Sequence, residues 1–476
     1  MADGIGMHVV MLPWLAFGHM LPFLHLSTAL AKAGIRVSFI TTPRNIQRLP
    51  QIPHHLAHHI SFVHLPLPAV DGLPKGVEAT VDVVDDSDEY LKKAFHLSFP
   101  AFQQFIAHDH PDWIIHDIFP CWASRIAKES GIPHVFFSIY SAAILAFLGP
   151  LEAMVGDGLA KIWPSPESLT SPPTWLGFKT SVAFGPHEAR GFYDAGFRPN
   201  ASGLSAVEDA ALTLEGSAAI AIRSCPEFEE EFLNCLKKLH QRPIIPIGLL
   251  PPIRQPEKRE RDDDPRCRWA NTFRWLDEQA PKSVVFVAFG TECKLSRDQV
   301  HGIAHGLELC GLPFLWALRR PVWAAAGNEE CISSILPPEF ERRVGVRGMI
   351  NMGWAPQLEI LAHPAIGGSL FHAGWSSIIE TLQHGHVAVV LPLANVQTLD
   401  ARHLVDKGLA IQVPVNRDDG SFHGDVIARS LRRAMVEDEG ERLRNRVVEM
   451  KDVFADQKLH QDYMDRFVDF LKSKGW

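Results

Sequence analysis

A chain of 476 residues is too long for one ordinary core and predicts two domains or three, each able to bury ample apolar area. Apolar residues make up 46% and charged residues 21%, and the formal charge of -9 leaves no basic stripe for a phosphate backbone, which excludes nucleic acid as a partner. The seven cysteines are scattered, without C-x-x-C pairs or Cys/His clusters at zinc spacing, which fits a reducing cytosol and no metal.

From the N-terminus, no basic region precedes the first apolar run and Pro13 interrupts that run, so no secretory signal is expected. Short apolar runs at 8–13, 36–41, 61–65, 113–117, 134–138 and 219–223 read as strands, separated by amphipathic stretches of helical length. The longest apolar stretch, 135–148, falls short of the ~18 residues that a membrane span needs. Residues 246–268 contain five prolines and a dense charge run, and they read as an interdomain linker. The pattern then begins afresh, with strands at 284–289, 314–318, 349–353, 366–371, 388–391 and 409–413 and helices at 296–310, 374–384 and 425–437. This is the α/β pattern of two parallel sheets with helices on their faces. The expected domains are 1–245, the linker 246–270, a second domain 271–455, and a final segment 456–476.

In doubly wound sheets, function gathers at the carboxyl ends of the strands, here in an expected cleft between two domains. Five polar residues fall on that rim: His19, Asp117, Thr291, His372 and Gln397. His19 is expected just before a helix that Pro22 helps to start. A histidine oriented by a buried carboxylate keeps one imidazole nitrogen free as a base, so His19 and Asp117 are the candidate catalytic pair. His372-Ala-Gly-Trp-Ser-Ser377 leaves a strand and opens a helix, which suits a pyrophosphate at free backbone N–H groups. Neither a P-loop nor a G-x-G-x-x-G follows any strand. Asp86-Ser87-Asp88 has the spacing by which some sugar transferases hold a metal, yet it runs into a helical pattern from Tyr90 and reads as a solvated helix start. The run at 262–264 reads as charged linker.

The stretch from Trp354 to Gln397, opening Trp-Ala-Pro-Gln and passing through His-Ala-Gly-Trp-Ser-Ser-Ile-Ile-Glu380, resembles the signature of the plant secondary product glycosyltransferases of family 1. Pro-Trp-Leu-Ala-Phe-Gly-His19 and Thr42-Pro-Arg-Asn-Ile46 are similar to the branch that adds a sugar to the sugar of a glycoside, and the likeness runs through nearly the whole chain. The resemblance implies the GT-B architecture, with two Rossmann-like domains. The first would take the acceptor and the second the UDP-sugar, and the last helix, about 460–472, would return to the first domain. It implies that Trp354 stacks on uracil beside Ala355, that Gln357 and Glu380 hold the ribose, and that Thr291, His372, Gly374, Ser376 and Ser377 meet the phosphates. Ser141, Trp375, Val396 and Gln397 would face the sugar, and Phe17, Phe119, Phe136, Tyr140 and Phe192 would line the acceptor pocket. Phe184 is a further aromatic candidate there.

The implied reaction is inverting transfer from a UDP-sugar co-substrate to a hydroxyl of a small-molecule glycoside, without metal or resident cofactor, by a cytoplasmic monomer. Three positions depart from the family pattern. Ser376 replaces Asn, Ala373 replaces Cys, and Val396 replaces the acid that binds two sugar hydroxyls. The last change suggests a donor with an apolar edge, such as UDP-rhamnose, unless Asn395 stands in for the acid with UDP-glucose. A flavonoid, triterpenoid or steroid glycoside fits as acceptor. Two other readings stay open here: a nucleotide-sugar-binding protein without turnover, and a sugar-nucleotide epimerase on the same fold.

Overall fold

The computed structural model describes residues 6–83, 88–252, 265–324, 332–393 and 396–473. The chain divides into two compact units: 1–179, 189–250 and 457–476 form the first, and 180–188 with 251–456 form the second.

The first unit holds a parallel sheet of seven strands: β1 His8–Leu12, β2 Arg36–Thr41, β3 Ile60–His64, β4 Trp113–His116, β5 His134–Ser138, β6 Ala219–Ile222 and β7 Ile244–Pro246. Their order is β3-β2-β1-β4-β5-β6-β7. Every residue of β1, β4, β5 and β6 is buried, as expected of strands covered on both faces by helices. β7 was not legible, because it is three residues long and ends in the proline that reads as the start of a linker. At the sheet edge, where β7 pairs only with β6, the missing N–H of Pro246 costs no ladder bond.

The helix after β1 spans Phe17–Lys32, so it begins before His19 and not after it. The Ala16 carbonyl accepts from His19 N at 2.9 Å and Met20 N at 2.8 Å, which closes the first turn. Pro22 therefore lies inside the helix, where it cannot donate to the Gly18 carbonyl.

The final helix, Gln457–Ser473, packs within the first unit. Phe467, Val468 and Leu471 are buried in its core, and Trp113 Nε1 donates to the Leu471 carbonyl at 3.0 Å.

The second unit holds a parallel sheet of six strands: β8 Val284–Val287, β9 Phe314–Leu318, β10 Gly348–Met352, β11 Ile366–Phe371, β12 Val387–Val390 and β13 Ala410–Gln412, in the order β10-β9-β8-β11-β12-β13. Two expectations change here. The stretch 180–188, placed by sequence in the first domain, belongs to the second unit, and with it Phe184, which is 2% exposed. The cause is Asp406, which accepts from Thr180 Oγ1 at 2.8 Å, Ser181 N at 2.7 Å and Ser181 Oγ at 2.6 Å. The range read as linker also contains the start of a helix, Pro265–Asp277, while 253–264 lie outside the described residues.

Buried imidazoles give the fold a pH dependence. Burial pushes His25, His116 and His386 down to about 3 and His134 to about 4. His116 Nε2 and His134 Nδ1 lie 2.7 Å apart, directly behind the strand end that carries Asp117. In the unfolded chain these rings take a proton near pH ~6.5, while the folded rings stay neutral until far lower pH. Their contribution to stability is therefore complete above pH ~6.5 and declines as pH falls toward the folded values, by about 1.4 kcal/mol per pH unit for each ring. Thermal unfolding should show Tm falling from about pH 6.5 downward, before most carboxylates titrate. A Tm flat between pH 6.5 and 5 would contradict this.

Candidate active site

In each sheet the strand order reverses at one place, between β1 and β4 in the first unit and between β8 and β11 in the second. Such switch points open a crevice beyond the carboxyl ends of the two central strands. His19 follows β1 and Asp117 follows β4. His19 Nδ1 lies 2.8 Å from Asp117 Oδ2, with the histidine side chain 12% exposed and the aspartate 1% exposed. Asp117 also accepts from Trp14 N at 2.9 Å and from Ile118 N at 2.7 Å. A carboxylate oxygen can only accept, so its partner nitrogen Nδ1 carries the proton and Nε2 presents its lone pair. The arrangement can therefore take a proton from a hydroxyl brought to Nε2. Tyr140 marks the place, its hydroxyl lying 3.4 Å from His19 Nε2 with the ring edge-on to the imidazole.

The other residues expected in the first domain are placed unequally around this pair. The Phe119 ring centroid is 6.5 Å from that of His19. Phe17 is buried in the core beneath β1, and Phe136 is wholly buried with its centroid 6.3 Å from the His116 ring. Phe192 packs against Phe197 in the helix Pro186–Phe197. Ser141 is fully buried, and its hydroxyl caps the helix Ala142–Leu148 by accepting from Ile144 N at 3.3 Å. Sequence reading missed Glu229, a buried carboxylate that accepts from Ala142 N, Ala143 N and Ser224 Oγ and so holds the turn that carries Tyr140. Its only signal is an acid in an otherwise apolar helical stripe.

At the second switch point, Gly290 and Thr291 follow β8 and His372 follows β11. The His372 ring is fitted between two glycines. A Cβ on Gly290 would stand 2.7 Å from its Cε1, and one on Gly374 would stand 2.7 Å from its Nε2. Burial pushes His372 down to about 4, so the ring is neutral at neutral pH. Gly374 is the N-cap of the helix Trp375–Leu382, whose first turn carries the backbone N–H groups and the partial positive charge of a helix start. The turn is reached through Ala373, in the left-handed region at φ 63°. Trp375 itself is 6% exposed.

Beyond β10 stands Trp354, 57% exposed, with Ala355 packed against the core beneath. Gln357 Nε2 donates to Glu380 Oε2 at 2.5 Å, so these two side chains are preset as a pair. The Thr291 carbonyl accepts from Arg319 at 3.0 Å. Val396 is the N-cap of the helix Gln397–Asp406, and Gln397 Oε1 accepts from Leu393 N at 3.3 Å. Asn395 lies outside the described residues, as do Asp86 and Ser87 of the D-x-D stretch.

Residues 264–420 match the family described as UDP-glucoronosyl and UDP-glucosyl transferase. UDP-glycosyltransferase 91C1 of Arabidopsis thaliana is 41% identical over 98% of this chain and 97% of its own. This chain belongs to the plant family 1 UDP-glycosyltransferases. Among its relatives, the soyasaponin III rhamnosyltransferase of Glycine max is 38% identical over 98% of this chain and 95% of its own. A Glycyrrhiza uralensis transferase, solved with glycyrrhetinic acid 3-O-monoglucuronide, superposes with a TM-score of 0.75 at 22% identity, covering 98% of this chain and 96% of that one, which shows the shared GT-B fold. As a UDP-glycosyltransferase the protein is an enzyme that transfers sugar from a UDP-sugar, and this displaces the binding-only and epimerase readings. Among the described residues, no helix is long and apolar enough to cross a membrane.

Proposed function

We propose that this glycosyltransferase moves a sugar, with inversion and without metal, from UDP-rhamnose or UDP-glucose to a sugar hydroxyl of a plant specialised-metabolite glycoside, of flavonoid, triterpenoid or steroid type. The observation that carries the reading is the 2.8 Å contact between His19 Nδ1 and the buried Asp117 carboxylate, which leaves Nε2 as the proton acceptor. His19 takes the acceptor proton as the hydroxyl oxygen bonds to the anomeric carbon and the bond to UDP breaks. The nucleophile enters opposite the departing diphosphate, so the anomeric configuration inverts. The negative charge that grows on UDP is received by the positive end of the helix Trp375–Leu382 and by His372. Trp354 stacks on the uracil, and the preset Gln357/Glu380 pair takes the ribose hydroxyls.

Val396 supports the rhamnose half of the donor proposal. An acid there would accept from two sugar hydroxyls, and its absence costs a glucose donor about 1–3 kcal/mol. An aliphatic side chain instead suits a donor edge bearing a methyl group. The activity named for the Glycine max relative is also rhamnosyl transfer. Equimolar UDP-glucose and UDP-rhamnose offered with a panel of glycosides should give mainly rhamnosylated product by mass, with inverted configuration by NMR. Strong glucose preference would defeat the donor assignment, and retention would defeat the single-displacement scheme.

A further inference from the structure

The first unit also gathers three side chains with metal-ligand chemistry that the transfer reaction does not use. His96 ends the helix Asp88–His96, Cys121 opens the helix Cys121–Ser130, and Asp209 lies within the helix Ala206–Leu214. One ligand atom from each lies within 4.8 Å of the other two. His96 Nε2 is 2.6 Å from Asp209 Oδ2, and His96 Nδ1 is 3.9 Å from Cys121 Sγ. A tetrahedral zinc bound to one nitrogen and one sulfur separates those atoms by ~3.6 Å, and since the imidazole gives an ion one nitrogen, the ring must turn or release Asp209 from Nε2 for all three donors to meet one cation. Asp209 is 3% exposed, and its Oδ1 is buried with no hydrogen-bond partner. A buried carboxylate oxygen left unsatisfied is uncommon and needs a cause, which a cation supplies.

We propose that His96, Cys121 and Asp209 bind one zinc-type divalent cation, with water completing its shell. A thiolate, an imidazole and a carboxylate together suit zinc and exclude magnesium and calcium, which take oxygen ligands. On binding, the hydrogen bond between His96 and Asp209 is exchanged for bonds to the metal, and the Cys121 thiol gives up its proton to solvent. Two of the three helices are already joined locally, Thr213 Oγ1 donating to the Ile118 carbonyl at 3.0 Å and Ser124 Oγ to the Leu212 carbonyl at 3.1 Å. The cation adds a staple beside the 117–120 loop without entering the sugar-transfer steps. Cysteine spacing could not show this site, because Cys121 is 25 positions from His96 and Asp209 is 113 from it.

The test is titration of the metal-stripped full chain with Zn2+, and with Co2+ as a spectroscopic probe. Expected are one Zn2+ per chain with Kd below ~10 μM, and a Tm that rises with Zn2+ concentration because the folded state alone binds. Co2+ should give a thiolate charge-transfer band that Cys121→Ser abolishes and Cys235→Ser leaves intact. Asp209→Asn should weaken Zn2+ binding at least tenfold, and Cys121→Ser should retain basal sugar transfer. Absence of Zn2+ binding at 100-fold excess, or a cobalt band that survives Cys121→Ser, would overturn the proposal, and the first of these needs no variant to fold.

Discussion

His19→Ala is expected to lower kcat by ~10²–10⁴-fold while leaving the affinity for UDP unchanged, because a positioned general base contributes about that factor. The imidazole is placed by the first turn of the helix Phe17–Lys32 and by its hydrogen bond to Asp117, and alanine removes both the base and that contact. Unchanged UDP binding by calorimetry separates lost chemistry from lost folding. Asp117→Asn should behave differently. The carboxylate accepts from Trp14 N, Ile118 N and His19 Nδ1, and an amide has a single acceptor oxygen for these three donors. Its NH2 group must face at least one donor, which costs about 1–3 kcal/mol of stability, and the imidazole is driven toward the tautomer with the proton on Nε2. Loss of Tm together with loss of kcat is therefore expected for Asp117→Asn, and loss of kcat alone for His19→Ala. Transfer by His19→Ala at the parent rate would remove the base assignment.

Gly290→Ala is expected to weaken UDP and UDP-sugar binding by at least ~10-fold, the equivalent of about 1.4 kcal/mol. Two independent causes act at this position. The backbone sits at φ 70°, where a Cβ costs roughly 1–2 kcal/mol, and that Cβ would stand 2.7 Å from His372 Cε1. Retreat to the other side is limited by the Gly374 backbone, on which even a Cβ would stand 2.7 Å from Nε2. His372 must turn out of the position in which it joins the N-terminus of the helix Trp375–Leu382. Calorimetry with UDP, which needs no acceptor, reads the effect directly. Binding equal to the parent would show that His372 is not held by this pair of glycines, or that it does not meet the diphosphate.

Much of the second unit was legible because its signals are local. The strands at 366–371 and 314–318 are short apolar runs with parallel partners on both sides, and the sequence marks them to the residue. The amphipathic stretch at 296–310 likewise announces the helix Arg297–Cys310, which the structure shows to start with a capping box of Ser296 and Gln299. Where several weak signals competed, the reading slipped. Pro22 suggested a helix start that Ala16 had already provided, and Pro246 suggested a linker where an edge strand ends.

The sequence by itself determined the α/β character, the two halves and the order of strand-end residues, because hydrophobic period and turn chemistry act over a few neighbouring positions. It also brought His19 and Asp117 under suspicion as a pair. Only the tertiary structure decided that Asp117 faces Nδ1, that Gly290 and Gly374 hold His372, that Glu229 holds the turn at Tyr140, and that Thr180–Glu188 joins the second unit. Apart from the neighbours His372 and Gly374, these depend on residues about 80 to 225 positions apart meeting across a sheet or between helices, and no local pattern encodes the distance between such atoms.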